Sequence, residues 1–349
     1  MDNINTVVLS GGGIKGISYI GFFKSLFSHI DPLQIKHYIA TSAGCMFSLC
    51  LCIGYTVDEI QKILFNYNFD SMIPEINLDN LIFNFGLSDG LELEKMLIEI
   101  LEYKKISKNI TFDELYKLTN IKLTFAVTNF TLQKIEYWDY INNPNNKILD
   151  GLLATSRVPL FFTPYEINNN IYLDGGLINN YPINIIPIDN IECVIGACLT
   201  TKKEMDEIKN LFNINDQYDK IIMYILTLFT LTLESKMNLI DIKYLNRTVQ
   251  LDNKLANFLD LSIDINIKNM MVNLAFEITE NYLNNTYKLN DINHHKDINY
   301  NIDIVNTDIN NSQINISLPE TNNDEPNNDE PNNDEPNNDE PNNDEPILI

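Results

Sequence analysis

The sequence predicts an α/β fold in which short buried strands alternate with helices. Two stretches carry this prediction. Thr6-Val7-Val8-Leu9 is a short apolar run that is followed by a glycine-rich turn and a helical run, Ile17 to Phe27. The apolar run Ile35 to Ile39 is followed in the same way by a turn and a helical run, Cys45 to Ile53. Buried strands that lead through tight turns into helices are typical of α/β proteins.

The rest of the chain continues this alternation until about residue 290. We expect further strands at Leu123 to Asn129, Lys134 to Trp138, Ile171 to Leu173, Cys193 to Leu199 and Val249 to Leu251. We expect helices from Thr56, which opens a capping box, to Tyr67, from Ser88 or Asp89 to Leu101, and over Thr111 to Leu118, Asp150 to Ser156, Asp216 to Ile240 and Ile267 to Leu283. The apolar segment Phe69 to Phe85 is irregular, and it is either a lid over a lipid-binding groove or a packed loop.

The charge of the chain limits its partners. The 349 residues have a formal net charge of -24, and 44% of them are hydrophobic, which is enough for a sizeable core. Such an acidic chain is not expected to bind nucleic acid, because the phosphates would repel it. For the same reason, contact with a membrane is expected to be local and hydrophobic, without long-range attraction to anionic lipids.

Cysteine spacing and the lengths of the apolar runs indicate a soluble, cytoplasmic protein. The five cysteines (Cys45, Cys50, Cys52, Cys193 and Cys198) lack the spacing of a metal site, so no metal or other cofactor is predicted. Met1-Asp2-Asn3 lacks the basic and apolar regions that open a signal peptide. The longest apolar run, Ile221 to Leu233, is too short to span a bilayer, so no transmembrane anchor is expected.

The turn after the first strand, Ser10 to Gly16, is suited to binding negative charge. Its glycines allow a sharp turn that presents backbone N–H groups at the start of a helix. Gly11, Gly13 and Gly16 satisfy the dinucleotide-binding pattern G-x-G-x-x-G, but no carboxylate closes the second strand to hold a ribose. A P-loop is excluded because Ile17, and not lysine, follows Gly16. An oxyanion hole is the better use of this turn, and a glycine turn without a ligand stays open.

The stretch Ile39-Ala40-Thr41-Ser42-Ala43-Gly44 has the layout of a nucleophile elbow, with a serine on a sharp turn between a strand and a helix. Its hydroxyl would project from the carboxyl edge of the sheet toward the atom that it attacks. Small residues crowd many such turns, so this stretch alone does not identify a catalytic serine. Asp174-Gly175-Gly176 follows another short strand, and by itself it is also typical of a β-turn or a helix cap.

Four segments together resemble the patatin-like phospholipase family. They are Gly11 to Gly16, Thr41 to Gly44, Ala154 to Pro164 and Asp174 to Pro182. They occur in the order and at the spacing typical of that family, and the resemblance covers roughly residues 5 to 285. Four ordered segments are far more specific than any one of them.

The resemblance implies a three-layer α/β/α sandwich of the patatin type and a Ser–Asp dyad in place of a triad. It makes Ser42 the nucleophile and Asp174 the general base, with an oxyanion hole formed by the backbone amides of Gly12, Gly13 and Ile14. The residues that support these motifs are Gly11, Lys15, Gly16, Ala40, Gly44, Gly175 and Gly176. The histidines agree with a dyad, because none of the four is placed as the base of a Ser–Asp–His triad: His29, His37, His294 and His295.

Two positions depart from the family pattern. Ala40 stands where the family usually has the first glycine of G-x-S-x-G, a position that needs little room and does not need positive φ. One extra methyl group is therefore expected to be tolerated there. Lys15 replaces the more frequent arginine of the glycine turn, which keeps the charge but loses bidentate geometry. Neither change removes a reacting group.

The chain is expected to consist of a patatin-like catalytic domain over residues 1–290, a polar linker over residues 291–320 and a disordered tail over residues 321–349. Residues 322–346 are five copies of Asn-Asn-Asp-Glu-Pro, and a polar repeat with a proline in each copy cannot bury a core. The tail is interpreted as a solvated spacer. Weak cation binding by its carboxylates and recruitment of a protein partner are the alternatives.

The sequence therefore predicts a lipid acyl hydrolase, similar to phospholipases A and lysophospholipases, that cleaves fatty-acyl esters through an acyl-enzyme. Its substrate would be a membrane or micellar lipid that the protein contacts peripherally. The alternative is a catalytically weakened or inactive member of the family that acts as a lipid- or protein-binding module. A nucleotide-binding enzyme is the third hypothesis.

Overall fold

The computed structural model describes residues 1, 3–72, 78–200, 220, 224, 227, 241–252, 255–256 and 263–293. All of them belong to the first of the two units into which the chain separates, Met1–Asp297. The predicted tail, the predicted linker beyond residue 293 and most of the helix predicted from Asp216 to Ile240 lie outside the described residues.

The described residues contain ten strands in two sheets. They are β1 Thr6–Leu9, β2 His37–Thr41, β3 Gly86–Ser88, β4 Lys122–Asn129, β5 Lys134–Trp138, β6 Leu160–Phe162, β7 Tyr165–Ile167, β8 Asn170–Asp174, β9 Val194–Thr200 and β10 Thr248–Asp252. Eight strands form the large sheet, and β3 and β6 form a separate parallel pair. In the large sheet β10, β9, β1, β2 and β4 are neighbours in that order, and all of these pairings are parallel.

Strand β4 is the point at which the sheet changes from parallel to antiparallel. Its residues Lys122 to Ala126 pair with β2, and its residues Val127 to Asn129 pair with β8, which runs antiparallel. Strand β5 pairs with Phe125 to Asn129 and occupies one edge of β4. Because that edge is taken, β2 and β8 must lie end to end along the other edge of β4. Strand β7 pairs with β8.

Helices cover both faces of the sheet. They are α1 Ser18–His29, α2 Ala43–Cys52, α3 Val57–Asn66, α4 Leu78–Asn84, α5 Leu91–Tyr103, α6 Phe112–Thr119, α7 Ile148–Thr155, α8 Gly176–Asn179, α9 Ile242–Leu245 and α10 Ile265–Asn293. In β1, Val7 and Leu9 pack into a large core with residues of α1, α2, α5 and α10. Val8 points to the opposite face and packs into a second core with residues of the 3-10 helices Pro182–Ile185 and Ile188–Cys193. Two buried faces confirm the predicted α/β/α sandwich.

Most predicted elements are observed within a few residues of their expected ends. The strand predicted at Ile35 to Ile39 begins at His37 and continues to Thr41. The capping box predicted at Thr56 is present, because the Thr56 hydroxyl accepts a bond from the Glu59 N–H and the Glu59 carboxylate accepts one from the Thr56 N–H.

Near the apolar segment one prediction was wrong, and one predicted helix is present but begins two or three residues later than expected. Part of Phe69 to Phe85 is regular, since Phe69–Met72 forms a 3-10 helix and α4 follows the undescribed residues 73–77. The helix predicted from Ser88 or Asp89 begins at Leu91, because Ser88 belongs to β3 and pairs with Phe162 of β6. Strands of three residues are too short for periodicity to reveal them.

The crossing of α1 and α10 requires glycine at position 21. A Cβ atom there would overlap the carbonyl oxygen of Val272 and would lie 2.7 Å from the Phe276 nitrogen. Gly21→Ala is expected to lower the free energy of unfolding by about 1–3 kcal/mol, because overpacking outweighs the helix propensity that alanine gains. Urea denaturation of the two proteins measures this difference.

Lys24→Ala is the matched control in the same helix. The ion pair between Lys24 and Asp58 lies at the surface, so its loss should change the free energy of unfolding by about 0.5 kcal/mol or less. Equal denaturation midpoints for Gly21→Ala and Lys24→Ala would contradict the close helix contact.

Candidate active site

The end-to-end arrangement of β2 and β8 brings Ser42 to Asp174. Thr41, the last residue of β2, pairs with Ala126, and Asp174, the last residue of β8, pairs with the next residue of β4, Val127. Because β8 runs antiparallel to β4, its final residue meets the end of β2. The Ser42 hydroxyl comes near enough to the Asp174 carboxylate to lower its pKa. The structure thus brings together the two residues that were predicted as a dyad.

Ser42 has the strained backbone of a nucleophile elbow. Its φ of 50° and ψ of -121° lie outside the regions that are comfortable for a residue with a Cβ atom. Such a conformation costs on the order of 1–3 kcal/mol and persists only where its surroundings enforce it. Gly44 allows the close approach of α2 to β1, since a Cβ atom there would lie 2.8 Å from the Leu9 Cβ and the Ser10 oxygen. Ala40 is fully buried in β2, and its φ is not positive.

Thr155, to which sequence reasoning assigned no role, holds the elbow in place. Its hydroxyl accepts a hydrogen bond of 3.0 Å from the Ser42 N–H and donates one of 2.6 Å to the Ala126 oxygen. The side chain therefore ties the strained turn to β4. The membership of Thr155 in the matching segment Ala154 to Pro164 was the only sign of this role in the sequence.

Asp174 is buried, and two polar groups favour its ionised carboxylate. The Gly176 N–H donates a hydrogen bond to Oδ1 at 2.7 Å, and the Ser42 hydroxyl is the second group. Burial raises the pKa of Asp174 to about 7, and these two groups oppose part of that rise. An aspartate with this pKa is a much stronger base than an exposed one, whose pKa is about 3.9.

The backbone around Asp174 is fixed on both sides. The Asp174 backbone N–H donates a hydrogen bond of 2.8 Å to the backbone oxygen of Arg157. The Asp174 backbone oxygen accepts a hydrogen bond of 2.9 Å from the Thr128 hydroxyl. Gly175 follows in a position where a Cβ atom would overlap the Ala126 oxygen. The Asp-Gly-Gly triplet therefore provides a carboxylate, a close backbone approach and an N–H donor.

The glycine-rich turn borders the same cavity as Ser42. Gly13 begins the 3-10 helix Gly13–Ile17, Gly12 precedes it, and no side chain caps its start. The first N–H groups of a helix have no acceptor within the helix. The amides of Gly12, Gly13 and Ile14 are therefore candidate donors to an oxyanion, and Gly13 and Ile14 line the cavity together with Ser42.

Two buried polar residues fix this turn. The backbone oxygen of Asn180 accepts a hydrogen bond of 3.0 Å from the Gly11 N–H. The side-chain amide of Asn180 donates a hydrogen bond of 3.3 Å to the Gly11 oxygen. Lys15 donates a hydrogen bond of 3.2 Å to the Thr200 oxygen at the end of β9. A Cβ atom at Gly16 would lie 3.2 Å from the Cβ of Ala43 in α2. The matching segments therefore contact one another around Ser42.

An apolar cavity extends from Ser42. It provides about 990 Å³ of space, counting its open mouth. The side chains in its wall come mainly from α2, α3, α5 and the segments that follow α3 and α7, and they include Met46, Phe47, Cys50, Ile60, Ile63, Leu64, Phe69, Met72, Leu93, Met96, Ile100, Val158, Phe161 and Phe162. Ser42 and Ser156 contribute the side-chain hydroxyls among the lining residues.

The two described histidines contact other residues. His29 lies 3.0 Å from Glu280 at the surface, and His37 lies 2.9 Å from the Thr124 hydroxyl, where burial lowers its pKa to about 3. His294 and His295 lie outside the described residues. In the part of the chain that the structure describes, no group of three His, Cys, Asp or Glu side chains could hold a metal ion. None of the described helices is long and apolar enough to cross a bilayer.

Comparison with known proteins relates the whole arrangement to a family. Residues 7–186, slightly more than half of the 349, match the family described as patatin-like phospholipase. An uncharacterized protein of Acanthamoeba polyphaga mimivirus, R571, is 31% identical over 252 residues, which cover 70% of this chain and 82% of that protein. The probable lipid hydrolase 463L of Invertebrate iridescent virus 6 is 36% identical over 185 residues, which cover 52% of this chain and 62% of that protein.

The fold also has a counterpart among solved structures. VipD from Legionella pneumophila matches with a TM-score of 0.55 at 15% identity, over 81% of this chain and 67% of that one. At this identity the likeness concerns the fold alone. The residues that match the family include the glycine turn, the elbow and Asp174. From this match and the similarity to R571 we conclude that the chain belongs to the patatin-like phospholipase family.

Proposed function

We propose that this protein is a lipid acyl hydrolase in which Ser42 is the nucleophile and Asp174 is the general base. The observation that carries the proposal is the juxtaposition of two residues at the adjoining ends of β2 and β8: Ser42, in the wall of an apolar cavity, and the buried Asp174 carboxylate, whose pKa the Ser42 hydroxyl lowers. A strained serine beside a carboxylate with a raised pKa, in such a cavity, is typical of an active site.

Lipid esters are the substrate class that the comparisons and the cavity support together. The family is described as phospholipase, and 463L is described as a probable lipid hydrolase. The wall beyond Ser42 is almost entirely aliphatic, aromatic or thioether, and such a wall favours an acyl chain over a polar substrate.

In the acylation step, the Ser42 oxygen attacks the carbonyl carbon of the ester while Asp174 takes the hydroxyl proton. The hydroxyl is already near the carboxylate that is to accept its proton. When the tetrahedral intermediate collapses, the bond to the alcohol oxygen breaks and Asp174 returns the proton to that oxygen. The alcohol or lyso-lipid leaves, and the acyl group stays on Ser42.

In the deacylation step, water attacks the same carbonyl carbon and Asp174 accepts its proton. The bond to the Ser42 oxygen then breaks, the proton returns to that oxygen and the fatty acid leaves. In both steps negative charge develops on the carbonyl oxygen. The amides of Gly12, Gly13 and Ile14 are the proposed donors to it, each worth about 3 kcal/mol in comparable sites.

Replacement of either dyad member tests this mechanism. Ser42→Ala and Asp174→Asn are each expected to reduce fatty-acid release from lipid vesicles by about a thousandfold or more, because one removes the nucleophile and the other the proton acceptor. A fluorophosphonate probe should label the wild type and neither variant, since only an activated serine reacts with it.

Ser48→Ala and Asp139→Asn are matched controls for these variants. Ser48 is a buried serine of α2 whose hydroxyl donates to the Gly44 oxygen, and Asp139 is a buried carboxylate paired with Lys122. Both should keep activity within about threefold of the wild type. Fatty-acid release by Ser42→Ala at the wild-type rate would rule out the proposed nucleophile.

The pKa of Asp174 predicts how the rate depends on pH. The base must be ionised to act, and its pKa is about 7, so kcat/KM should rise about tenfold per pH unit below pH 7 and level off above it. An aspartate of ordinary pKa would give a constant rate from pH 5 to 8. The measurement uses a soluble monomeric ester, so that the packing of lipid does not change with pH, and a flat profile would contradict Asp174 as a buried base.

A further inference from the structure

Four exposed apolar side chains lie within ten residues of the chain, between α4 and the first residue of α5. Phe83, Phe85, Ile82 and Leu91 are 73%, 65%, 63% and 53% exposed. We call these four residues the apolar rim. Within the described residues, no other stretch of ten exposes as many large hydrophobic side chains to this degree. Clustered exposure of this kind indicates an interaction surface.

The apolar rim is connected to the wall of the cavity. Met72 lines the cavity, and it also lines a groove beside α4 together with Phe83. The Asn80 side chain donates a hydrogen bond of 3.1 Å to the Leu87 oxygen and so ties α4 to β3. Strand β3 pairs with β6, whose Phe161 and Phe162 line the cavity.

Phe85 is held at the surface in a strained backbone conformation. Its φ of 58° is unusual for a bulky side chain and persists only where the surroundings enforce it. At the next residue, a Cβ atom on Gly86 would overlap the backbone of Phe162 and Thr163. Strand β3 therefore packs backbone to backbone against β6, and this pairing fixes the chain directly after Phe85.

We propose that the apolar rim inserts into the surface of a zwitterionic or neutral lipid aggregate and aligns the cavity with it. This proposal rests on the proposed function, since the cavity would receive its lipid from that surface. The charge of the molecule excludes anionic lipid as the preferred partner, because Asp79, Asp89 and Glu92 line the groove beside α4 and the chain carries a net charge of -24. Aromatic and aliphatic side chains are those that bury at a membrane interface.

Vesicle sedimentation tests the surface without requiring catalysis. All variants carry Ser42→Ala, so that the phosphatidylcholine vesicles stay intact. Phe83→Ser with Phe85→Ser should weaken binding by about tenfold or more, because both exposed rings lose their contact with lipid. Leu33→Ser with Leu118→Ser is the matched control, since these leucines are 77% and 61% exposed and precede the amino ends of β2 and β4, whereas Ser42 follows the carboxyl end of β2. Binding of the control should change by about twofold or less.

Three results would overturn the proposal. Equal vesicle binding by the two double variants would remove the apolar rim as the contact. Stronger binding to vesicles that contain phosphatidylglycerol would contradict the role of charge. Light scattering of the wild type and of the double variant Phe83→Ser with Phe85→Ser gives the third result. If the wild type is a dimer and the double variant is a monomer, a second copy of the chain covers the apolar rim in place of lipid. A different pair of results would separate this proposal from the proposed function. If Phe83→Ser with Phe85→Ser loses vesicle binding but the protein with Ser42 intact hydrolyses no lipid, the apolar rim is the lipid contact and the catalytic proposal fails.

Ser156 provides a separate and independent observation. Its hydroxyl is buried and has no hydrogen-bond partner. Among the described side chains, Nε of Arg157 is the other buried polar atom without a partner. A buried hydroxyl without a partner costs about 1–3 kcal/mol, so its presence calls for an explanation.

The position of Ser156 supplies one. Its two neighbours in the chain both bond to the proposed dyad: the Thr155 hydroxyl accepts a hydrogen bond from the Ser42 N–H, and the Arg157 backbone oxygen accepts one from the Asp174 N–H. Ser156 stands between these two residues and lines the cavity. Rotation about one bond moves a serine hydroxyl among its three staggered positions. We infer that the Ser156 hydroxyl donates a hydrogen bond to an oxygen of the bound ester, so that the substrate supplies the partner that the fold omits. This inference also rests on the proposed function.

Calorimetric binding of a monomeric short-chain ester separates a binding role from a structural one. In the Ser42→Ala protein, which does not turn over, adding Ser156→Ala should raise the dissociation constant about fivefold or more, because one hydrogen bond is lost. The free energy of unfolding should stay the same or rise, because the variant removes an unpaired buried hydroxyl. Loss of stability with unchanged ester affinity would overturn the inference. Ser42→Ala with Ser48→Ala is the matched control and should keep the affinity.

Discussion

The end-to-end placement of β2 and β8 on one edge of β4 is the constraint on which the rest of the site depends. Strand β5 occupies the other edge, so β8 can pair with β4 only beyond the point where β2 ends. Because side chains alternate along a strand, a slip of one residue would turn Asp174 to the opposite face of the sheet. Bonds from the Asp174 N–H to Arg157 and from the Thr128 hydroxyl to Asp174 hold the register. The meeting of hydroxyl and carboxylate is therefore a consequence of strand pairing.

Burial of Asp174 has opposite effects on reactivity and on stability. A base whose pKa lies near 7 accepts a proton more readily than an exposed aspartate and is still about half ionised at pH 7. In the unfolded chain the same group has a pKa of about 3.9. The folded state therefore binds the proton more tightly, and the contribution of Asp174 to stability is lost as the pH rises from about 4 through 7. Ser42 and Gly176 limit this loss because they favour the ionised carboxylate.

The sequence revealed the parts of the fold that have local causes. The strands around Val7 and Phe125 are apolar runs, and Thr56 has the spacing of a capping box, so each could be recognised where it stands. Parts that depend on distant contacts could not. Strands β3 and β6 are three residues long and exist only because they pair with each other. Likewise, the hydroxyl of Thr155 and the amide of Asn180 look ordinary in the sequence, and their partners, Ser42 and Gly11, are more than a hundred residues away.

The two departures from the family pattern fit the fold for different reasons. Ala40 is the last residue but one of β2 and pairs with Leu9 and Phe125, in a backbone conformation that any residue can adopt. Lys15 is buried and donates to a carbonyl oxygen, Thr200, and one N–H of an ammonium group satisfies such an acceptor. The planar fork of arginine is matched to carboxylates and phosphates, so its loss matters only if this side chain binds an anion. Because Lys15 reaches back to the end of β9, it fixes the glycine turn against the sheet, and in the proposed mechanism the developing negative charge is left to the backbone amides.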